Sequence, residues 1–214
     1  MNSERIRITQ LLADLGLEEL VGDQMEILAA NEDVAIRRAA FNLGTRVGWE
    51  GSGALAESIA LESGSTLDQL NLVRSALLKD DIELAESLIA DLTTSPEFES
   101  SSTLRADILL YDADLNARKG QRILEDSQTI SEQLSRATAD KNSAEMTRLE
   151  AQQGELLREA EQSYRKAVEL TAEAYSARPA DPRSLYLRHL ALQSLFQIDP
   201  QPATQQDMSC CVAG

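Results

Sequence analysis

Proline placement constrains this chain more than any other feature. The 214 residues hold five prolines, at Pro96, Pro179, Pro182, Pro200 and Pro202. Nothing before Pro96, and nothing between Pro96 and Pro179, carries the residue that removes a backbone donor and breaks a helix. The intervening sequence is rich in Ala, Leu, Glu and Gln, all strong helix formers, and no alternating strand pattern stands out. An all-α fold follows: an antiparallel helical bundle or cup of about seven helices.

The apolar spacing places them. Ile8, Leu11, Leu12 and Leu15 fit a short helix ending near Gly16, and Leu17, Leu20, Val21, Met25 and Leu28 fit a second. Asn31 is the expected cap of a third, with Ile36, Ala39, Ala40, Leu43 and Val47 at helical spacing until Gly44, Gly48, Gly51 and Gly53 interrupt it. Ser65 or Thr66 caps a fourth from Leu67 to Leu92, closed by Thr93-Thr94-Ser95-Pro96. A fifth begins near Ser101-Ser102-Thr103 and runs past Gly120 through Ile123, Ile130, Leu134 and Ala137. Asp140-Lys141-Asn142 makes a turn, and Asn142 with Glu145 suits a capping box. Residues 121–178 therefore read as a helical hairpin, and Pro182 opens a last helix. One domain over 4–197 and a disordered tail over 198–214 result.

Charge narrows the partners. Twenty Lys and Arg against 36 Asp and Glu leave a net charge of -16, which repels phosphate backbones and anionic lipid head groups, so nucleic acid is not expected. No run approaches the roughly 20 apolar residues that span a bilayer, and the first residues lack the apolar core of a signal peptide. A cytoplasmic protein is the expectation. Cys210 and Cys211 are the only cysteines. Cys211-Val212-Ala213-Gly214 occupies a CaaX-like frame, which makes the pair lipidation candidates. The final Gly and the lack of a polybasic stretch favour an unmodified tail.

No catalytic constellation assembles. His189 is the only histidine, so zinc sites and histidine-activated nucleophiles lack their usual parts. Gly51-Ser52-Gly53-Ala54-Leu55-Ala56 spells GxGxxA, but that loop needs a preceding strand, and here a helix precedes it; it reads as a helix break. Asp112-Ala113-Asp114 starts like a calcium loop whose sixth and twelfth positions hold Ala117 and Ile123, which rules it out. Neither metal nor cofactor is expected, and no enzyme. Arg37-Arg38, Arg46, Arg105 and Arg118-Lys119 stand out in so acidic a chain. Arg38, Arg46 and Arg105 are the candidates for gripping a carboxylate or phosphate of a partner.

The helix order and several strings resemble the 14-3-3 family. Asn31-Glu32-Asp33, Ala39-Ala40-Phe41-Asn42, Arg46 and Trp49 are similar to its third helix. Tyr164-Arg165-Lys166-Ala167-Val168-Glu169 and Pro179-Ala180-Asp181-Pro182 are similar to later segments, and the likeness covers most of 8–197. It implies a dimeric helical cup, joined through its first helices, that binds phosphorylated peptides as an adaptor. The family's basic pocket positions fall on Asn42, Trp49, Asp112 and Ala113. Arg46 and Arg105 are the basic residues about one and two turns away, so an anion pocket here would be rearranged. The hairpin over about 121–160 would be an insertion. A tetratricopeptide array is the rival fold, on Ala160, Tyr164 and Ala167, a match that occurs once. The alternative function is an assembly protein joined to a partner through a coiled coil made by the hairpin.

Overall fold

The computed structural model describes residues 2–198, with no statement about the side chains of Asn2, Ser3 and Glu18; the tail and both cysteines lie outside the described residues. These residues form helices and no strand, as expected of an all-α chain. The sequence reading draws one domain over 4–197. The packing sorts into two compact units, Met1–Leu92 and Thr93–Gly214.

The first unit holds α1 (Asn2–Asp14), α2 (Glu18–Ala29), α3 (Val34–Val47), α4 (Ser52–Ser63), α5 (Thr66–Leu78) and α6 (Ile82–Thr93), the last ending at the boundary. Its core joins α2, α3 and α4 through Met25, Leu28, Phe41, Leu55 and Ile59, with Ile6 and Leu12 of α1 packed alongside. Each such side chain contributes about 1.5–3 kcal/mol when fully buried. Asp33, not Asn31, caps α3, its carboxylate accepting from the Ala35 amide; Asn31 instead accepts from the Asp33 amide and shapes the turn before it. Ser65 caps α5 as expected, accepting from the Asp68 amide.

Ten helices stand among the described residues, where about seven are read from the sequence. Two of the extra ones come from the glycine cluster and the fourth predicted helix. The cluster ends α3 at Gly48, a left-handed residue at φ 73°, and then starts α4, whose small residues carry too weak an apolar stripe to read. The predicted Leu67–Leu92 helix is two, because Asp80 adopts φ 59° and turns the chain between α5 and α6. The third, α7 (Pro96–Ser100), is a single turn begun by Pro96 under a Ser95 cap.

The second unit contains α7, α8 (Ser102–Ala139), α9 (Ser143–Ala177) and α10 (Pro182–Ile198). α8 and α9 pair antiparallel along their length, joined by the predicted turn, where Lys141 takes φ 54° and the Asn142 side chain accepts from the Glu145 amide. α10 lies mainly against α9, and Leu109, Ala113, Tyr164, Leu170, Ala191 and Leu195 fill the space between the three helices. Further along, only two helices remain, sealed by Ile130, Leu134, Ala137, Met146, Leu149 and Leu156.

Gly120 sets how closely the long helices approach. A Cβ there would lie 2.9 Å from the Tyr164 ring, which is 2% exposed, so one of the two must shift. Gly154, on α9, has open space beyond its Cα. The two glycines should therefore respond oppositely in urea unfolding of the full chain. Gly154→Ala should stabilise by about 0.5–1 kcal/mol through helix propensity. Gly120→Ala should destabilise by about 1–3 kcal/mol through overpacking, despite the same gain in propensity.

Candidate functional site

The three arginines singled out by sequence have three different surroundings. Arg38, on the second turn of α3, points to Asp68 at the third position of α5. Its Nε and Nη2 donate to the two carboxylate oxygens at 2.8 and 2.6 Å, the bidentate geometry that suits guanidinium to carboxylate. Asp68 is fully buried, and the Ser63 hydroxyl donates to the same carboxylate. Hydrogen bonding from Arg38 outweighs the cost of burial and holds the Asp68 carboxyl below the usual carboxylate range, with Ser63 adding to the effect. Arg38 is thus occupied inside the unit. Its neighbour Arg37 is buried as well, paired with Glu62 of α4.

Arg46 is free of such pairing among the described residues and is exposed on the last turn of α3. It borders a cavity of about 610 Å³ lined also by Asp14, Gly16, Val21, Trp49 and Glu50. That volume lies in the range of small-ligand and side-chain pockets. The glycine cluster explains how the cavity forms. Trp49 folds back so that its ring lies where a Cβ of Gly51 would be, 2.3 Å from the ring's Cζ2, and close to Gly44, 3.0 Å from Cε3. Gly48 turns the chain out of α3 just before it. Trp49 is half-buried, presenting an apolar wall beside the Arg46 guanidinium, while Asp14 and Glu50 add carboxylates to the lining.

Arg105 belongs to the second unit, exposed on the first turns of α8 and likewise without a side-chain partner among the described residues. It borders a shallower cavity of about 430 Å³ with Phe98, Leu109, Ala172, Glu173 and Ser176. Arg118 pairs along its own helix with Asp114 at 3.3 Å, an i,i+4 pair on α8. The short acidic string Asp112-Ala113-Asp114 lies within the same continuous helix. Among the described residues no group of three or more His, Cys, Asp and Glu side chains could hold a metal ion. His189 lies half-buried on α10, its Nδ1 without a hydrogen-bond partner.

Sequence reasoning passed over one ionic cluster. Arg178, which ends α9, and Arg183, in the first turn of α10, both donate to Asp107 of α8, at 2.8 and 2.5 Å. Both also pair with Asp181, whose side chain accepts from the Arg183 amide. Arg183 above all holds the Asp181 carboxyl well below its usual range. The Pro179-Ala180-Asp181-Pro182 string carries part of the signal, since Asp before Pro marks a helix start, but Asp107 lies too far away in sequence to be paired with it. This cluster ties three helix segments together, and its arginines are committed to that task.

No family model, curated protein or solved structure matches the chain. Among the described residues no helix is long and apolar enough to cross a membrane.

The Asp68 arrangement makes a stability prediction. A carboxyl whose folded-state pKa is depressed adds stability above its unfolded pKa, about 3.9 for Asp, and that contribution is lost as pH falls through the folded value. Asp68→Ala should destabilise the chain by about 2–4 kcal/mol at pH 7, since Arg38 and Ser63 lose their buried acceptor. The variant should also lose less stability than the wild type between about pH 4 and pH 2. Thermal unfolding across that range checks both.

Proposed function

We propose that the chain is a non-enzymatic protein-binding scaffold, an adaptor of the kind its resemblance to 14-3-3 proteins implies, working in the cytoplasm as a homodimer. The observation that carries this reading is the surface of α1 and α2. Ile8, Leu11 and Leu15 are 54, 61 and 72% exposed, and Leu20 and Ile27 are 50 and 48% exposed. Spacings of three and seven put Ile8 with Leu11, and Leu20 with Ile27, on one stripe of each helix, and Leu15 extends the first stripe into the turn that follows α1. Concentrated apolar exposure of this kind marks a contact surface, whereas single exposed leucines do not.

Charge favours a second copy as the occupant. Arg5 and Arg7 stand on α1 together with Glu4 and Asp14, while α2 carries Glu18, Glu19, Asp23 and Glu26 and no basic residue. A two-fold arrangement laying α1 of one copy along α2 of the other joins the apolar stripes and brings the two α1 arginines to the acidic α2, a contact that the two-fold axis repeats.

The cavity beside Arg46 supplies the second element. An unpaired guanidinium next to an apolar tryptophan wall suits a peptide that offers a carboxylate or phosphate and an apolar neighbour. The coiled-coil alternative has less in its favour. Ile130, Leu134, Met146 and Leu149 face one another within the hairpin, and no large apolar side chain between 121 and 160 is exposed. Removing all of 121–178 would strip Tyr164, Ala167, Leu170 and Ala174 from the core. A shortened tip, residues 131–148 replaced by a turn, is the better test of that alternative.

Light scattering after size exclusion should give twice the 23.5 kDa chain mass for the wild type. Leu11→Glu with Leu15→Glu should give the chain mass alone while keeping the helical circular dichroism. A monomeric wild type would remove the dimer from the account. In affinity capture from lysate, partners of the peptide site should be lost on Arg46→Glu and after phosphatase treatment. Partners retained under both conditions would point to a scaffold indifferent to phosphorylation.

A further inference from the structure

The GxGxxA string, read from sequence as a helix break, does break the helix, and in the structure it also opens α4. Gly51 caps that helix, and Ser52 and Gly53 follow. The Ser52 amide bonds to the Trp49 carbonyl and the Leu55 amide to Gly51, while the first-turn amides of Gly53 and Ala54 have no intrahelical acceptor.

Cα–Cβ bonds tilt toward a helix N-terminus, so the place a Gly53 side chain would occupy lies at the mouth of α4. Lys79, the residue that ends α5, brings its Nζ to 2.0 Å from that place, and Ser75 brings its Oγ to 3.1 Å. Glycine is what admits the ammonium there. Neither side chain has a hydrogen-bond or ionic partner among the described residues, although Ser75 is only 4% exposed. A helix N-terminus carries about half a positive charge, so an ammonium beside it adds to a positive local potential that favours an anion. Lys79 Nζ and the Ser75 hydroxyl thus both lie beside Gly53, in the first turn of a helix whose Gly53 and Ala54 amides are left to donate elsewhere.

We propose that the first turn of α4, with Lys79 and Ser75, is a binding site for a phosphate-class oxyanion, either free phosphate or the phosphomonoester of a small molecule. Helix amides and a lysine are the donor set that holds such groups, with the helix end adding its own positive potential. The net charge of -16 opposes an anion only at long range, and it is screened beyond about 8 Å at physiological salt. Contact donors therefore set the affinity. The inference does not rest on the partner-binding reading, because it requires only the purified chain and a small anion.

The test is a titration of the isotope-labelled full chain with sodium phosphate at constant ionic strength, followed by amide resonances. Saturable shifts centred on Gly53 and Ala54 are expected, and chloride in the same range should not reproduce them. O-phosphoserine forms the second arm. Saturation at the same amides at least tenfold tighter than phosphate assigns the site to phosphomonoesters, and weaker or equal binding assigns it to the free ion. Lys79→Met should weaken binding at least tenfold. Gly53→Ala should do the same by displacing the ammonium, a flexible group, while alanine favours the helix and keeps the chain folded. The proposal is overturned if the shifts are absent or scattered over the surface, or if both variants bind as the wild type does.

Discussion

Two helices of 38 and 35 residues lying antiparallel impose the condition on which the second unit depends: one face of each must stay apolar and small enough to meet the other over its whole length. Gly120 against Tyr164 is where that condition is tightest. The Tyr164 ring occupies the space a side chain on α8 would need, and its hydroxyl donates to Gln121 at 3.4 Å. Because the long pair is closed on itself, α10 can dock on one end of it, and the Asp107, Arg178, Asp181 and Arg183 cluster fixes that end. The rest of the hairpin presents polar side chains outward. Its apolar seam is internal.

The first unit solves a different problem with shorter helices. Its core of Met25, Leu28, Phe41, Leu55 and Ile59 draws on three helices. The bidentate Arg38–Asp68 pair fixes α5 against α3 from the side. In a chain with 36 acidic and 20 basic side chains, arginines already bonded inside the fold are not available to a ligand. That separates Arg37 and Arg38 from Arg46. It also leaves the apolar face of α1 and α2 as the surface whose exposure most needs an explanation.

Much of the fold was legible in the sequence, and the reasons are local. The caps at Ser65 and Asn142, the turn at Asp140–Asn142, the stop before Pro96 and the start at Pro182 all rest on a few adjacent residues. The failures have local causes too. Asp80 turns the chain with a left-handed residue that is not glycine, which apolar spacing across Leu67–Leu92 conceals. α4 was hidden because only Leu55 and Ile59 are large on a buried face otherwise made of Ser52, Gly53, Ala56 and Ala60, too few to mark a stripe. The candidate site was legible only as a list of arginines. Which of them is bonded across the fold depends on Glu62 and Asp68, partners that lie 25 and 30 residues away in sequence, beyond what spacing reveals.

The central claim is that the chain works through the exposed face of its first two helices and not through its long hairpin. Hydrogen–deuterium exchange of the full chain, compared between dilute and concentrated protein, tests it most directly, because association protects the amides it covers. The account predicts concentration-dependent protection confined to residues 5–28, with exchange over 121–160 unchanged. Protection that instead appears along 121–160, or no dependence on concentration anywhere, would contradict it.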